Sequence, residues 1–485
     1  MRENSNASQD LVDHVVAAGK PLRVNAVSES TVATLVAAYY ARVPSADLAH
    51  RTPDELYWLA AHHVRLAATR PLGGDAVEVT TPPAQDGPPS LRGGNTLITI
   101  VTDDVAMLFD SLIMELTAQQ RGVHVALHPQ ISVLRDSVTG VMKSVATQRE
   151  ASDDRRIVCH EAWIQIEIER ETNPHHLKTI EHSLRRVITD VRKATTDEPL
   201  MLQEARRLAA ELDGRVAPGI PESEVSEAKE LLNWLADGNF TFLGYRQYEL
   251  TSTAAGELLH PVPSVGLGVP RPNQEQKSRA PLPKAVGEQA RDRKLLVLTK
   301  SNSKSTVHRP EYLDYIGVKQ FDLTTGAVTG EHRFLGLYAS SAYSESVFRI
   351  PVIRHKAAAV LEQCGFSAGS HNAAMTIDVL QSYPRDELFQ ATVTDLLPVA
   401  QTMVATSRWH RPRLFLRRDP YGRFVSCILY MPRDHYNTAV RERISDVLVN
   451  HVGGSSVEFT ARLGEQRTAQ VRFVVRPGPN GALND

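Results

Sequence analysis

Five stretches of this chain carry side chains at spacings that chemistry uses. Thr102-Asp103-Asp104-Val105 follows an apolar run and precedes a helical spacing that opens at Leu108. Unpaired amides at a helix start hold a carboxylate, and two aspartates beside them accept an ammonium. These four residues are therefore a candidate amino-acid site, although an ordinary N-cap uses the same residue types. Ser301-Asn302-Ser303-Lys304 has the spacing of a serine nucleophile and its lysine, but no helix follows to present both groups on one side. His124 and His128 share a strand face that Glu167 and Glu169 could join to hold a metal; a solvated strand face reads the same way. Arg408, Arg411, Arg413, Arg417, Arg418 and Arg423, with Trp409 and Phe415, would suit RNA, yet around a hairpin they also fit a salt-bridged face. Gly266-Leu267-Gly268 comes nearest to a dinucleotide fingerprint and runs into Pro270 and Pro272 instead of a helix. Elsewhere His62 and His63 are adjacent on a helix and point apart. No nucleophile, base and orienting group fall together, so no catalytic, cofactor-binding or metal residue is assigned.

Composition narrows the classes. The chain has 485 residues, 54 basic against 56 acidic, for a net charge of −2. That balance does not steer it to nucleic acid or to an anionic membrane. Cys159, Cys364 and Cys427 lie far apart, which suits reduced thiols in a cytoplasmic protein and gives no metal spacing. No apolar run approaches the ~20 residues of a membrane span, and the polar start MRENSNASQD lacks a signal-peptide core.

The elements that must position these residues follow from periodicity. Thr96 to Val101 reads as a strand, and Leu108, Phe109, Leu112, Ile113 and Leu116 as one face of a helix that Gly122 ends. Val123, Val125, Leu127, Ile131 and Val133 alternate, with Pro129 at an edge or bulge. Ile164, Ile166 and Ile168 point one way, and Gln165, Glu167 and Glu169 the other. Asn173-Pro174 caps a helix whose core face is Leu177, Ile180, Leu184, Val187, Ile188 and Val191. Strand, helix, strand, strand, helix is most of a ferredoxin-like unit, lacking a fourth strand. Before it Thr52-Pro53-Asp54-Glu55 is a capping-box start, and residues 71–95 read as a Pro/Gly/Thr-rich linker. After it Asp197 to Asp213 reads as a separate short helix, followed by a hinge.

The rest of the chain divides the same way. A helix near Glu227 to Leu235 leads into an aromatic strand from Asn239 to Leu250 and further strands at 294–299, 315–323 and 332–338. Residues 251–292, rich in Pro, Gly and charge, read as a mobile loop. This is the pattern of a small mixed sheet domain of PAS type. Helices follow at 352–363 and 373–407, broken at Ser382-Tyr383-Pro384. Hairpin strands flank Asp419-Pro420-Tyr421-Gly422; a helix capped by Asn437 and ended by Gly453-Gly454, then a second hairpin, complete a ferredoxin-like half-layer without its full helical cover. Exposed apolar sheet is expected near Phe459 and Phe473. The expected fold is α+β: a helical segment (1–88), a ferredoxin-like domain (89–195), a helical linker (196–225), a PAS-like domain (226–350), a helical segment (351–408) and a second ferredoxin-like domain (409–478).

Seven stretches, taken together, resemble one family. They are Thr102–Leu116 with Val123–Pro129, Asn239–Tyr245, Ser305–Pro310, Arg333–Tyr338, Tyr383–Phe389 and Arg418–Val425, in that order. The chain is similar over most of its length to the amino-terminal region of the large-type, NAD-dependent bacterial glutamate dehydrogenases. The resemblance implies ACT-type modules for the two ferredoxin-like units, flanking a PAS-like domain and joined by helical segments. It implies a part for subunit assembly and effector response, whose parent enzyme converts L-glutamate, NAD and water to 2-oxoglutarate, ammonium and NADH. The implied partners are a carboxy-terminal catalytic region of the same polypeptide, further subunits (a tetramer rather than a hexamer) and an amino-acid effector. No nucleic acid or membrane is implied, and the location would be cytoplasmic. The chain departs from the family pattern at Val105-Ala106 and lacks the dehydrogenase core, so no catalytic residue carries over and NAD belongs to the parent enzyme. The alternative reading is a free-standing ACT-type amino-acid sensor.

Overall fold

Thr52 fixes where the helix Pro53–Ala67 begins. Its hydroxyl accepts from the Glu55 amide, the Glu55 carboxylate accepts from the Thr52 amide at 2.9 Å, and Pro53 takes the first helical position. In the computed structural model the described residues are 13–17, 29–41, 43, 48, 50–82, 94–146, 155–214, 219–269, 281–406, 411–463 and 468–478. They form two units: Met1–Thr196 with Ser305–Pro310, and Asp197–Lys304 with Glu311–Asp485.

The first unit begins with helices α1 (Glu29–Tyr40) and α2 (Pro53–Ala67). Strands β1 (Ala76–Thr80), β2 (Thr96–Asp103), β3 (Val123–Leu127), β4 (Gln130–Asp136), β5 (Met142–Val145) and β6 (Arg156–Ile168) follow, with α3 (Leu108–Ala118) between β2 and β3. Helix α4 (Pro174–Glu211) comes last and crosses the unit boundary in sequence. The antiparallel sheet has the order β1-β2-β6-β4-β5, with β3 also paired to β6. The strand missing from the sequence reading is β1, inside the segment read as a linker. Its Val77 and Val79 alternate, but five residues are too few for periodicity to stand out among prolines and glycines. Asp197 to Asp213 does not start a new helix: α4 runs through Pro199, which removes only one helical hydrogen bond.

Both faces of this sheet are buried, against the expectation that Gln165 and Glu167 meet solvent. Ile98, Ile100, Ile164 and Ile166 line one face, as the alternation predicts. On the other, His63 stacks on Trp163, Tyr39 Oη donates to Gln165 Oε1 at 2.7 Å, and Arg51 pairs with Glu167. Gln165 Oε1, Glu167 and His63 each have a specific partner, which makes a polar face tolerable under helices, although Gln165 Nε2 has none. Glu161 is sealed between two guanidiniums. Arg135 Nε donates to it at 2.6 Å and Arg70 Nη2 at 2.7 Å, while Trp163 Nε1 donates at 3.0 Å. Burial would raise this carboxyl, but the two arginines hold it below its ordinary range.

The second unit opens with α5 (Glu222–Trp234) and a sheet of order β8-β7-β11-β10-β9. These strands are β7 (Phe240–Thr253), β8 (Gly256–Gly268), β9 (Leu296–Lys304), β10 (Tyr312–Phe321) and β11 (Val328–Tyr338), with α6 (Lys284–Arg291) between β8 and β9. Much of the 251–292 stretch is therefore ordered, contrary to the loop reading. β8 is an edge strand, so Pro261 and Pro263 need donate no ladder bond outward, and the prolines that argued against a strand are accommodated. Residues 270–280 lie outside the described residues. Gly336 lets β11 meet β7 closely, since a Cβ there would stand 2.0 Å from the Thr241 carbonyl.

After a five-residue helix at Ser340–Ser344 come α7 (Ile353–Cys364), α8 (His371–Ser382), α9 (Arg385–Gln390) and α10 (Val393–Thr406). The last sheet, β12 (Arg413–Arg418), β13 (Val425–Pro432), β14 (Ser456–Leu463) and β15 (Thr468–Arg476), has the order β12-β13-β15-β14 and carries α11 (Thr438–Val452). Asn437 caps α11 through the Val440 amide, and Gly453 ends it at φ +72°. One face of this sheet, with Ile428 and Tyr430, joins the core of α9 and α10; the other, with Cys427, Val471 and Phe473, packs under α11. Phe473 is thus fully buried, correcting the expectation for it. Phe459 is 45 % exposed beneath the Arg441 guanidinium, and the open apolar positions are Leu414 and Leu416 on edge strand β12. A buried ion network runs through this unit: Lys300 pairs with Asp314 at 2.7 Å and Asp386 at 3.4 Å, Arg472 with Asp386 and Glu387, and Arg417 with Glu387 at 2.8 Å. Among the described residues no helix is long and apolar enough to cross a membrane.

Candidate functional site

The start of α3 is built unlike an ordinary helix N-terminus. Its N-cap is Met107, held left-handed at φ +66° with no side-chain acceptor. A left-handed backbone costs an L-residue roughly 1–2 kcal/mol, and a methionine cannot cap the first-turn amides. Those amides face a cavity of about 400 Å³ lined by Asp104, Val105, Phe109, Asp110, His128 and Gln130, among others. His128 stacks on Phe109 at 5.2 Å. Its Nε2 is buried without a hydrogen-bond partner, 3.8 Å from Asp104 Oδ1. Burial lowers its pKa more than Asp104 and Asp110 raise it.

The structure separates the four residues singled out in sequence. Asp104 and Val105 line the cavity. Thr102 is buried and its hydroxyl accepts from Arg192 Nη2 at 3.0 Å, while Asp103 accepts from Arg70 Nη2 at 2.7 Å. Those two are side chains of the sheet's own polar framework. Asp110 and Gln130 were missed. Asp110 gave a weak signal, an acidic residue in a first helical turn; Gln130 gave none. The cavity lining includes the start of α3 and the carboxylate-bearing residues Asp104 and Asp110, the latter in the first turn of that helix.

The other sequence candidates resolve into structure. His124 lies on β3, His128 beyond its end, and Glu167 is taken by Arg51; among the described residues no three His, Cys, Asp or Glu cluster to hold a metal. Ser301 Oγ donates to the Ser303 carbonyl, and Lys304 pairs with Glu458. Arg417 and Arg423 are committed to Glu387 and Asp419; Arg408 and Trp409 lie outside the described residues. Gly266-Leu267-Gly268 lies within β8, where a Cβ on Gly268 would stand 2.2 Å from the Leu243 carbonyl. These glycines serve strand packing, not a helix start, and do not fit a dinucleotide pyrophosphate.

Comparison with known proteins adds a separate line. Residues 35–184 match the family profile "Glutamate dehydrogenase, ACT1 domain", residues 413–484 "Glutamate dehydrogenase, ACT2 domain", and residues 350–407 "Glutamate dehydrogenase, helical motif 1". The chain is 31% identical over 457 residues to the NAD-specific glutamate dehydrogenase of Halomonas elongata, covering 94% of this chain and 28% of that protein. Its counterpart in Pseudomonas aeruginosa is 34% identical over 394 residues, 80% of this chain and 24% of that protein. That of Mycobacterium tuberculosis is 32% identical over 416 residues, 85% and 24% respectively. The chain spans about a quarter of the length of these curated relatives.

Proposed function

The chain belongs to the amino-terminal, ACT-bearing region of the large-type NAD-dependent glutamate dehydrogenases, and from that premise we propose that it is a regulatory and subunit-assembly part, not the catalytic part. The parent reaction would take L-glutamate, NAD and water to 2-oxoglutarate, ammonium and NADH. In this reading the proposed partners are a carboxy-terminal catalytic region of the same polypeptide and other subunits, in a tetramer and in the cytoplasm. The middle sheet of β7 to β11 is the proposed PAS-like module.

The observation that carries the regulatory reading is the uncapped start of α3 facing a cavity that Asp104 and Asp110 line. An amino-acid effector would place its carboxylate on the α3 amides and its ammonium between the two aspartates. The test is calorimetry of the purified chain against the common L-amino acids. At least one is expected to bind saturably, and Asp104→Asn and Asp110→Asn are each expected to weaken it about tenfold. Binding by none of them would overturn the site. Incubation with glutamate and NAD is expected to give no NADH, and turnover above background would overturn the non-catalytic assignment.

A further inference from the structure

We infer that the second unit holds a separate binding site for a small organic monoanion: a carboxylate on an apolar body. It is a cavity of about 600 Å³ among α5, β9, α7 and the end of α9, within the roughly 300–1,000 Å³ range of small-molecule sites. Nothing in it draws on the proposed effector site of the first unit.

The charge inventory of the cavity points to an anion. Three lysines line it: Lys294 faces Asp292, and every hydrogen bond made by the ammonium groups of the other two, Lys319 and Lys356, goes to a main-chain carbonyl. Lys319 Nζ donates to the Gln289 and Asp292 carbonyls at 2.7 and 2.5 Å. Lys356 Nζ donates to the Leu388, Phe389 and Ala391 carbonyls at 3.0, 2.8 and 2.8 Å. Each of these two lysines thus plugs a helix C-terminus, α6 or α9, whose dipole offsets only part of a full charge. Burial pulls both amines down, Lys356 to about 7; that is the cost of a cation without a carboxylate partner.

The carboxylates of the same cavity are already matched. Glu227 accepts from Arg354 Nε and His355 Nε2 at 2.9 Å each, Glu224 from the Leu295 amide at 2.8 Å, and Asp292 faces Lys294 at 3.4 Å. Glu224 meets only that amide, so two ammonium groups stand against one carboxylate without an ion pair, and the balance is positive. Lys319, only 5% exposed, keeps one N–H beyond its two carbonyls. An entering carboxylate would accept that hydrogen in a charge-assisted bond. Lys356 has spent all three donors, so its part is the field it adds when protonated. Leu296, Leu298, Val352 and Phe389 give the walls for the ligand's apolar body.

The experiment titrates the full chain with isocaproate and with its neutral isostere isocaproamide. Isocaproate is expected to bind saturably, one per chain, and the amide about tenfold more weakly or not at all. Lys319→Met is expected to lose about tenfold in isocaproate affinity. Leu298→Trp, which fills the cavity and leaves both lysines, is expected to abolish binding and keeps the test decisive should Lys319→Met fail to fold. Asp104→Asn should leave isocaproate affinity unchanged, so failure here and failure of the first-unit effector site are told apart. Equal binding of acid and amide, no saturable heat at about 10 mM, or binding that Leu298→Trp does not touch would overturn the inference.

Discussion

Glu161 in the first unit and the Asp386-Glu387 pair in the second are both sealed from water, yet the charges around them do different work. Glu161 has its two arginines close by, and their spare donors go to nearby main chain: Arg135 to the Ala67 and Gly140 carbonyls, Arg70 to that of Gly74. That cluster orders a turn and the strands beside it. In the second unit Lys300, Arg417 and Arg472 face Asp314, Asp386 and Glu387, and these come from β9, β12, β15, β10 and the six-residue helix α9. That network holds two sheets in register on one short helix. Burying such charges contributes little net stability, because desolvation offsets the attraction, but wrong packings would strand them. One cluster is therefore a local brace and the other a lock between layers.

Removing single partners should expose that difference. Arg472→Met leaves two buried carboxylates without their main cation and is expected to cost the most, about 3–5 kcal/mol in denaturant unfolding. Amide exchange should rise at Ile428 and Tyr430 as the last sheet loosens. Glu161→Gln keeps an acceptor for both guanidiniums and is expected to cost about 2–3 kcal/mol, with faster exchange confined to residues 68–74 and the β4–β5 turn. If both variants cost the same and loosen only their immediate surroundings, the distinction between brace and lock fails.

These clusters also mark where the sequence was legible. Local signals survived folding: the Thr52 and Asn437 caps, the Asp419 turn, the α4 core face and the alternating isoleucines of β6 all stand where spacing put them. What failed depended on partners far away in sequence. Gln165 and Glu167 read as a wet face because Tyr39 and Arg51, more than a hundred residues earlier, are invisible to periodicity. β8 read as a loop because only its place at a sheet edge makes its prolines acceptable. For the candidate site, the acidic pair before α3 was legible, but half of it is used elsewhere, since Asp103 answers Arg70. Met107's left-handed backbone has no sequence signature at all.

Each unit also buries a neutral histidine, and pH compares them. Burial lowers His63 from the usual 6.5 to about 3, with its Nε2 3.0 Å from the Ile100 carbonyl, and lowers His332 to about 4 beside Tyr245. The unfolded chain binds the extra proton below about 6.5, so stability is full above that pH and is lost as pH falls toward the folded values. His63→Gln should flatten the acid limb of the first unit by about one proton. His332→Gln should flatten that of the second over a narrower window. Exchange followed in each unit would separate them, and an unchanged acid limb in both variants would show that carboxylates alone govern it.

The smallest effect sharpens the contrast between two of the helix starts of the first unit, those of α2 and α3. Thr52 caps α2 with a full capping box, so Thr52→Ala should cost about 1 kcal/mol and nothing else. Met107 leaves α3 open, so Met107→Asn works the other way. Asparagine tolerates the left-handed backbone and can accept from the first-turn amides, which should stabilise the unit by about 0.5–1 kcal/mol. The same side chain would then occupy the amides proposed to hold an effector carboxylate. A gain in unfolding free energy together with weaker amino-acid binding is the expected pairing. If Met107→Asn stabilises the unit and leaves amino-acid affinity untouched, the open helix start is a tolerated defect and the ligand's carboxylate must be sought elsewhere in the cavity.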